Sequence, residues 1–469
     1  QYLRIAAPLT LLCGLLVTGC GSGGGPVPSS PTANTRSGEP TAGRWATIVL
    51  PSGSSIPVAP PPVSGSAQAA QELTELHARQ SRRTSATLTT IAFWQSGAAV
   101  QWNAIARQLV IGHNTSPPQA SRVYALLSVA QYDALVTAWN NKYVYLRPAP
   151  SAVDSTLAPA VPPSADPVYP SEHAVVSGTS AAILESLYPD ATSSLEASAQ
   201  QDEQSRLDAG VNYASDITAG DGLGRSVAQQ ELVRAASDGS STPWTGTVPT
   251  GTGLWVGTKP LLPTWAGVKP WLMTSDSEFR PAPPPAYGSP EYAAALNEVR
   301  QIALTRTAEQ TQIAIFWADG AGTATPPGHW NQIASDFIVK YGLNEIRSAR
   351  ALALINMAML DAGICCWDAK FTYWFIRPSQ ADPSINLAVP LPNFPSYTSG
   401  HASFSGAAST VLGYLFPAES PSVTAMAQQA MISRIYGGIH YRFDGTAGLQ
   451  GGQMTGALAV QRGMRDGSP

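Results

Sequence analysis

Charge is scarce in this sequence. Its 27 Lys+Arg and 31 Asp+Glu make 12% of 469 residues, with a net charge of −4, against roughly 25% charged residues in an average soluble protein. No run of Lys or Arg builds a basic face, which excludes a dedicated nucleic-acid binder. Cysteine is scarcer still, at four. Cys13 and Cys20 fall in an N-terminal apolar stretch. The adjacent pair Cys365 and Cys366 suits neither a zinc site nor a disulfide framework and reads as two buried small hydrophobes. Histidine numbers only six, so a site built on it stands out. What is abundant is Gly and Pro, 41 and 40 residues, together with 44% hydrophobic residues. That apolar content excludes wholesale disorder, and the length is ample for large cores.

The first residues read as an export signal. Leu9 to Val17 is too short to span a bilayer, follows a single cation, Arg4, and ends in small residues. Val17-Thr18-Gly19-Cys20 resembles a bacterial lipobox, with Cys20 as the lipidated residue. The expectation is a signal peptide over residues 1–19 and an exported lipoprotein, periplasmic or at the cell surface. Its contact with the membrane would be through the lipid anchor alone. Residues 20–66, rich in Gly, Ser, Pro and Thr, read as a flexible tether.

The body of the chain is duplicated. Asp133 and Asp361, Trp139 and Trp367, Lys142 and Lys370, Ser171 and Ser399, His173 and His401, Arg206 and Arg434, and Asp216 and Asp444 all lie 228 residues apart. One offset held across so many residue types makes two structural repeats. Long apolar stretches at helical spacing (119–142, 349–375, 399–416) predict an all-α fold of two helical bundles side by side. The first bundle covers residues 67–250. A Pro/Gly/Trp-rich connector follows over 251–290, and the second bundle runs from 291 to 469.

The second repeat concentrates polar chemistry. Lys370 and Arg377 are seven apart, which on one helix face separates them by about 20°, and Pro378 then pushes Arg377 out of the helix, which ends there. Ser399-Gly400-His401 opens an apolar helix, whose hydroxyl and free backbone N–H groups make a cradle for an oxyanion. Arg434 and His440 flank Gly437-Gly438, and Asp444 follows. Three cations, a hydroxyl and a glycine amide match a tetrahedral or bipyramidal oxyanion such as phosphate or vanadate. One His can bond the central atom and the other can move protons. No cluster of carboxylates or cysteines accompanies them, which argues against a divalent metal site.

These residues carry a resemblance. Lys370 with Arg377-Pro378, then Ser399-Gly400-His401, then Ser433-Arg434 with His440 and Asp444, resemble the three-part signature of type 2 phosphatidic acid phosphatases (the PAP2 superfamily) and vanadium-dependent haloperoxidases. The family usually has Pro before Ser-Gly-His, where this chain has Thr398. The resemblance implies one vanadate per chain, bonded axially by His440. Lys370, Arg377, Arg434, Ser399 and the Gly400 amide would hold its oxygens. His401 would be the acid–base catalyst and Lys370 would polarise peroxide for attack by halide. Asp444 would orient His440. Trp367 and Phe394 match positions that line the halide side in fungal chloroperoxidases. The implied reaction oxidises chloride or bromide with hydrogen peroxide to hypohalous species, which an organic acceptor consumes.

Two other functions fit the same residues. An exported acid phosphatase would use His440 as nucleophile and His401 as general acid, with no cofactor. A surface lipoprotein could bind an oxyanion without catalysis. The first repeat reads as scaffold. Glu172 replaces Gly400 and puts a carboxylate where an anion would sit. Asn212 replaces His440, and Lys142 and Arg147, five apart, diverge by about 140° on a helix. His77, His113 and His329 have no supporting partner in the pattern and are assigned no role. Trp317 and Trp330 read as core.

Overall fold

The computed structural model describes residues 38–469, so the expected signal peptide and Cys20 lie outside the described residues. Among the described residues the fold is all-helical. It has no strand and one isolated bridge, between Leu254 and Phe375. The first half contributes α1 (Ala67–Ser81), α2 (Ser85–Gln95), α3 (Ala98–Gly112), α4 (Pro117–Tyr145), α5 (Pro150–Val153), α6 (Glu172–Leu187), α7 (Thr192–Ala209) and α8 (Ala214–Ala236). The second half repeats this order with α9 (Pro290–Thr305), α10 (Ala308–Phe316), α11 (Thr325–Tyr341), α12 (Glu345–Tyr373), α13 (Pro378–Ala381), α14 (Gly400–Leu415), α15 (Ser420–Tyr436) and α16 (Arg442–Gly463).

Local chemistry repeats as well. Both α4 and α12 run 29 residues and stop at a left-handed residue, Leu146 (φ 52°) and Trp374 (φ 49°). Ser171 and Ser399 cap α6 and α14 with their hydroxyls, satisfying an N–H that the helix cannot. The Tyr213 and Tyr441 amides donate to Asp216 and Asp444 at 2.8 and 3.1 Å, starting α8 and α16.

The halves do not stand as separate bundles. Asn103 donates to Asn331 at 2.9 Å, and Asn356 to Ser128 at 3.0 Å, each residue meeting its own counterpart 228 positions away. Residues that touch their own equivalents lie on a two-fold axis. Around that axis α4 and α12 pack together, and one hydrophobic cluster takes Leu126, Val129 and Leu135 from the first half with Leu352, Ile355 and Leu412 from the second. The two expected bundles therefore share one core. The reason is that α4 and α12 are apolar on nearly every face, and such a helix must be covered all round. By length and composition α12 could cross a membrane, yet its apolar stretch is wholly buried inside the protein.

The expected tether is corrected where it is described, from residue 38 onward, and the irregular connector packs over the helices. From Gly38 onward the chain packs, burying Ala42 and Trp45. The amides of Ile48, Val49 and Leu50 donate to the Asp133 carboxylate at 2.7, 2.8 and 2.9 Å. In the connector, Trp271, Leu272 and Met273 donate to Asp361 at 2.8, 2.7 and 2.9 Å. Two residues earlier in each segment, Ala46 N–H bonds the Asp466 carbonyl and Lys269 N–H the Asp238 carbonyl, both at 2.7 Å. Each segment is thus a strap fastened to both halves. Gly43 lets the first strap lie against α4, because a Cβ there would sit 2.3 Å from the Asn140 backbone.

Candidate oxyanion site

All the second-repeat candidates converge beside the N-terminus of α14. Lys370, in the last turn of α12, is fully buried and donates to the carbonyls of Pro395 (2.9 Å), Ser396 (3.0 Å) and Thr398. Arg377 lies outside the helix, as Pro378 implied, but α12 already ends at Tyr373, so the expected shared helical face with Lys370 is corrected. The left-handed Trp374 ends α12 and turns the chain into an extended piece, in which Ile376 N–H bonds the Gly253 carbonyl at 3.0 Å. That piece delivers Arg377 from outside. Its Nε donates to Phe394 O at 2.9 Å and its Nη1 to Ile439 O at 2.8 Å, while Nη2 is buried with no partner.

Arg434, in the last turn of α15, donates from Nε to Ser433 Oγ at 2.9 Å and from Nη2 to the Ala314 carbonyl. A glycine then frees His440 from the helix: Gly438 takes φ +79°, and Ile439 N–H closes on Arg434 O at 3.1 Å. His440 Nδ1 lies 2.8 Å from Asp444 Oδ2, and its Nε2 is 3.1 Å from Arg377 Nη1. Since Arg377 can only donate, Nε2 carries the lone pair and Nδ1 the proton that Asp444 accepts. Asp444 is itself fixed by Ser396 Oγ at 2.5 Å and by the Tyr441 amide. Ser399 and Gly400 sit at the head of α14, and a Cβ on Gly400 would meet only the Trp367 ring at 3.6 Å and Phe404 at 3.9 Å. The space in front of that glycine is therefore not filled by protein. His401 Nε2 lies 3.1 Å from the Ala318 carbonyl.

The electrostatics of this cluster are those of an anion site. Burial pushes Lys370 down to about 7, helped by Arg377. Burial likewise brings Arg377 and Arg434 down to about 10. Both histidines are driven well below their ordinary value, by burial first and then by cations: Arg377 foremost for His440, Arg434 for His401. Asp444, raised by burial to about 6, is the carboxylate in contact with His440. Three buried cations against one carboxylate, with an arginine N–H left unpartnered, fit a multiply charged oxyanion. No group of three or more His, Cys, Asp or Glu gathers as a cation cage among the described residues.

Trp367 and Phe394 form one wall. Their rings are 5.1 Å apart, and the Phe394 ring lies 4.8 Å from Lys370 Nζ and 5.0 Å from the Arg377 guanidinium. Trp317 and Trp330 are core, as expected, and Cys365 and Cys366 are free and buried. Three histidines read as partnerless each have a carboxylate: His77 with Asp154 at 2.8 Å, His113 with Asp190 at 3.0 Å, and His329 with Asp319 at 3.0 Å. These pairs join residues from different elements, or positions at no recurrent spacing, so the sequence pattern carried no sign of them. Sequence reasoning also missed Ser396 and the Ala314 and Ala318 carbonyls. Ser396 had a sign: its counterpart 228 residues earlier is Val168.

Residues 350–466 match the model of the PAP2 superfamily. Vanadium chloroperoxidase from Curvularia inaequalis is 34% identical over 146 residues, which cover 24% of this chain and 23% of that protein. The alignment thus spans about a quarter of that relative's length. Among solved structures, a bacterial vanadium-dependent iodoperoxidase is 28% identical, with a TM-score of 0.64 over 78% of this chain and 95% of the other. A bacterial vanadium-dependent chloroperoxidase in its apo form shares the fold at 14% identity, with a TM-score of 0.59 over 75% of this chain and 95% of the other.

Proposed function

We propose that the protein is a vanadate-dependent haloperoxidase, a reading supported by the match of residues 350–466 to the PAP2 superfamily model. The protein holds one vanadate per chain and oxidises halide with hydrogen peroxide, and an organic acceptor consumes the hypohalous product. The observation that carries this reading is the unpaired positive charge of Lys370, Arg377 and Arg434 around the lone pair of His440. Vanadate, when bound, supplies a Lewis-acidic centre that keeps its oxidation state while activating peroxide.

The chain's own residues do the rest. Asp444 holds the His440 proton on Nδ1 and so aims Nε2 at the centre. Lys370, Arg377, Arg434, Ser399 Oγ and the Gly400 amide would hold the oxygens of vanadate. His401, kept neutral at pH 7 by burial and by Arg434, takes a proton from incoming peroxide. Lys370 donates to the developing negative charge, and Trp367 and Phe394 exclude water from the halide side. The 28% identical neighbour is an iodoperoxidase, so iodide belongs in the assay beside bromide and chloride.

A PAP2-type phosphatase is the second reading, favoured by one observation: the Asp444–His440 pair with an unprotonated Nε2 is also the arrangement of a histidine nucleophile. The paired experiment is direct. Protein loaded with orthovanadate is assayed for halogenation of a dione by peroxide with each halide, and vanadate-free protein for hydrolysis of an aryl phosphate. Halogenation with one vanadium per chain is expected. Background halogenation alongside phosphate turnover overturns the first reading. The lipobox-like Val17-Thr18-Gly19-Cys20 extends the proposal to an exported protein anchored at Cys20, which lipid labelling of wild type against Cys20→Ala tests.

A further inference from the structure

The two-fold axis carries a second basic cleft, remote in sequence from the Lys370 site. Arg234 and Arg462 are counterparts 228 residues apart, in the last turns of α8 and α16. Each ties down a strap in the same way. Arg234 Nη2 donates to the carbonyls of Lys269 (3.1 Å) and Pro270 (2.9 Å), and Arg462 Nη2 to those of Ala46 (3.2 Å) and Thr47 (2.7 Å). Those bonds use a fraction of the five N–H donors that each guanidinium carries.

Both arginines line one cavity of about 400 Å³, together with Lys269, Trp271, Ile48, Val49, Pro270 and Met357. A neighbouring cavity of about 330 Å³ shares Trp271 and Arg462 and adds Arg465. Arg234 lies flat on Trp271, 3.3 Å from the ring centroid, and the indole N–H has no partner. Among the described residues, none of the four cations has a carboxylate within 4.0 Å. Of the acidic groups nearby, Glu231 is buried with both carboxyl oxygens unpartnered and is raised well above its ordinary value by burial, whereas the aspartates are already engaged. Asp238 pairs with Arg122 and Asp466 with Arg350, both at 2.6 Å. Asp133 and Asp361 are each held by three strap amides.

Strap-locking accounts for Arg234 and Arg462, but not for Lys269 and Arg465. These have no equivalent in the other half, where the corresponding positions are Ala46 and Ser237. We propose that these adjoining cavities bind a multiply charged phosphate-type oxyanion, with Arg234, Arg462 and Lys269 lining the first and Arg465 the second, which shares Arg462 and Trp271. Two guanidinium groups lining one concave site, each with N–H donors to spare, are the chemistry that recognises such a group.

The test titrates vanadate-loaded protein with inorganic tripolyphosphate by calorimetry, so that the Lys370 site is already filled. One binding event per chain is expected. The double variant Lys269→Gln, Arg465→Gln should weaken it at least tenfold, with unfolding temperature and halogenation unchanged. Both side chains are exposed and make no hydrogen bond in the fold, so this variant should fold. An organic bisphosphate in a parallel titration tells an esterified ligand from a bare one, and binding of either supports the site. Absence of binding, binding unaffected by the double variant, or binding abolished by vanadate loading overturns it. If vanadium analysis shows that vanadate itself does not load, the haloperoxidase reading fails. The effect of the double variant on tripolyphosphate still decides the cleft.

Discussion

Lys142 and Lys370 occupy the same place in the two halves, and their surroundings explain why one half carries a site and the other does not. Both amines reach an equivalent carbonyl, Pro167 O at 2.7 Å and Pro395 O at 2.9 Å. Lys142 then meets the Glu172 carboxylate at 2.7 Å. Although burial works the other way, Lys142 holds that carboxyl below its ordinary value. Lys370 meets two further carbonyls and no carboxylate. The arginines differ in the same sense: Gln95 accepts from Arg206 Nη1 at 2.8 Å. Asn212 stands where His440 would be and donates to Asp216 Oδ2 at 3.3 Å. His173 sits among acids, with Asp202 at 2.8 Å, whereas His401 sits among cations. The first half carries its own anion, Glu172, in the position the second leaves open. A duplicated scaffold can thus keep a cradle's shape in both copies while one copy satisfies it internally.

The contrast can be broken most severely at His440 and its counterpart Asn212. His440→Ala is expected to lower vanadate-dependent turnover about a thousandfold or more, the scale seen when a central catalytic group is removed. Asn212→Ala should leave turnover within twofold. Steady-state rates on vanadium-quantified samples check both, and a folded but inactive Asn212→Ala protein would show that the first half takes part in the chemistry.

The lysines give the next largest effect, and in different observables. Lys370→Ala should cost about a hundredfold in turnover, as loss of one preorganised donor does. Lys142→Ala strands a largely buried Glu172 and should cost about 3 kcal/mol of stability with specific activity intact. Thermal unfolding beside specific activity separates the two.

The smallest effect is in pH. Burial holds the empty-site Lys370 down at about 7, and a bound anion favours its charged form. Below that value the site is already cationic. Above it each binding event must take up a proton, so oxyanion affinity should fall by about tenfold per pH unit. Lys370→Arg remains charged and should lose that slope. Vanadate's own protonation is common to both proteins, so the difference between their profiles isolates the lysine.

Much of this was legible in the sequence, for physical reasons that particular residues illustrate. The repeat offset survives because helices α4 to α8 and α12 to α16 keep their lengths. The wrong charge at Glu172 was readable because one substitution reverses the sign of the cradle. Arg377 was misplaced because nothing in the spacing signals a left-handed residue at Trp374. Segment 46–50 looked like part of a tether, and the anchor of 269–273 could not be named, because their partners, Asp133 and Asp361, are distant in sequence and are bonded through backbone amides, which no side-chain pattern encodes. The carboxylates on His77 and His113 escaped for the same reason.

Those straps bear on which part of the chain can exist alone. The region that resembles other proteins most, residues 350–466, begins inside α12. It omits the amides that satisfy Asp361, the α4 face on which α12 lies, and Ala314 and Ala318, whose carbonyls position Arg434 and His401. A homologous segment is here not a folding unit. Cut out, it would present an ionisable group and a long apolar helix to water. The whole of residues 38–469 should therefore melt in one cooperative step, and shortened forms should fail together rather than lose function piece by piece.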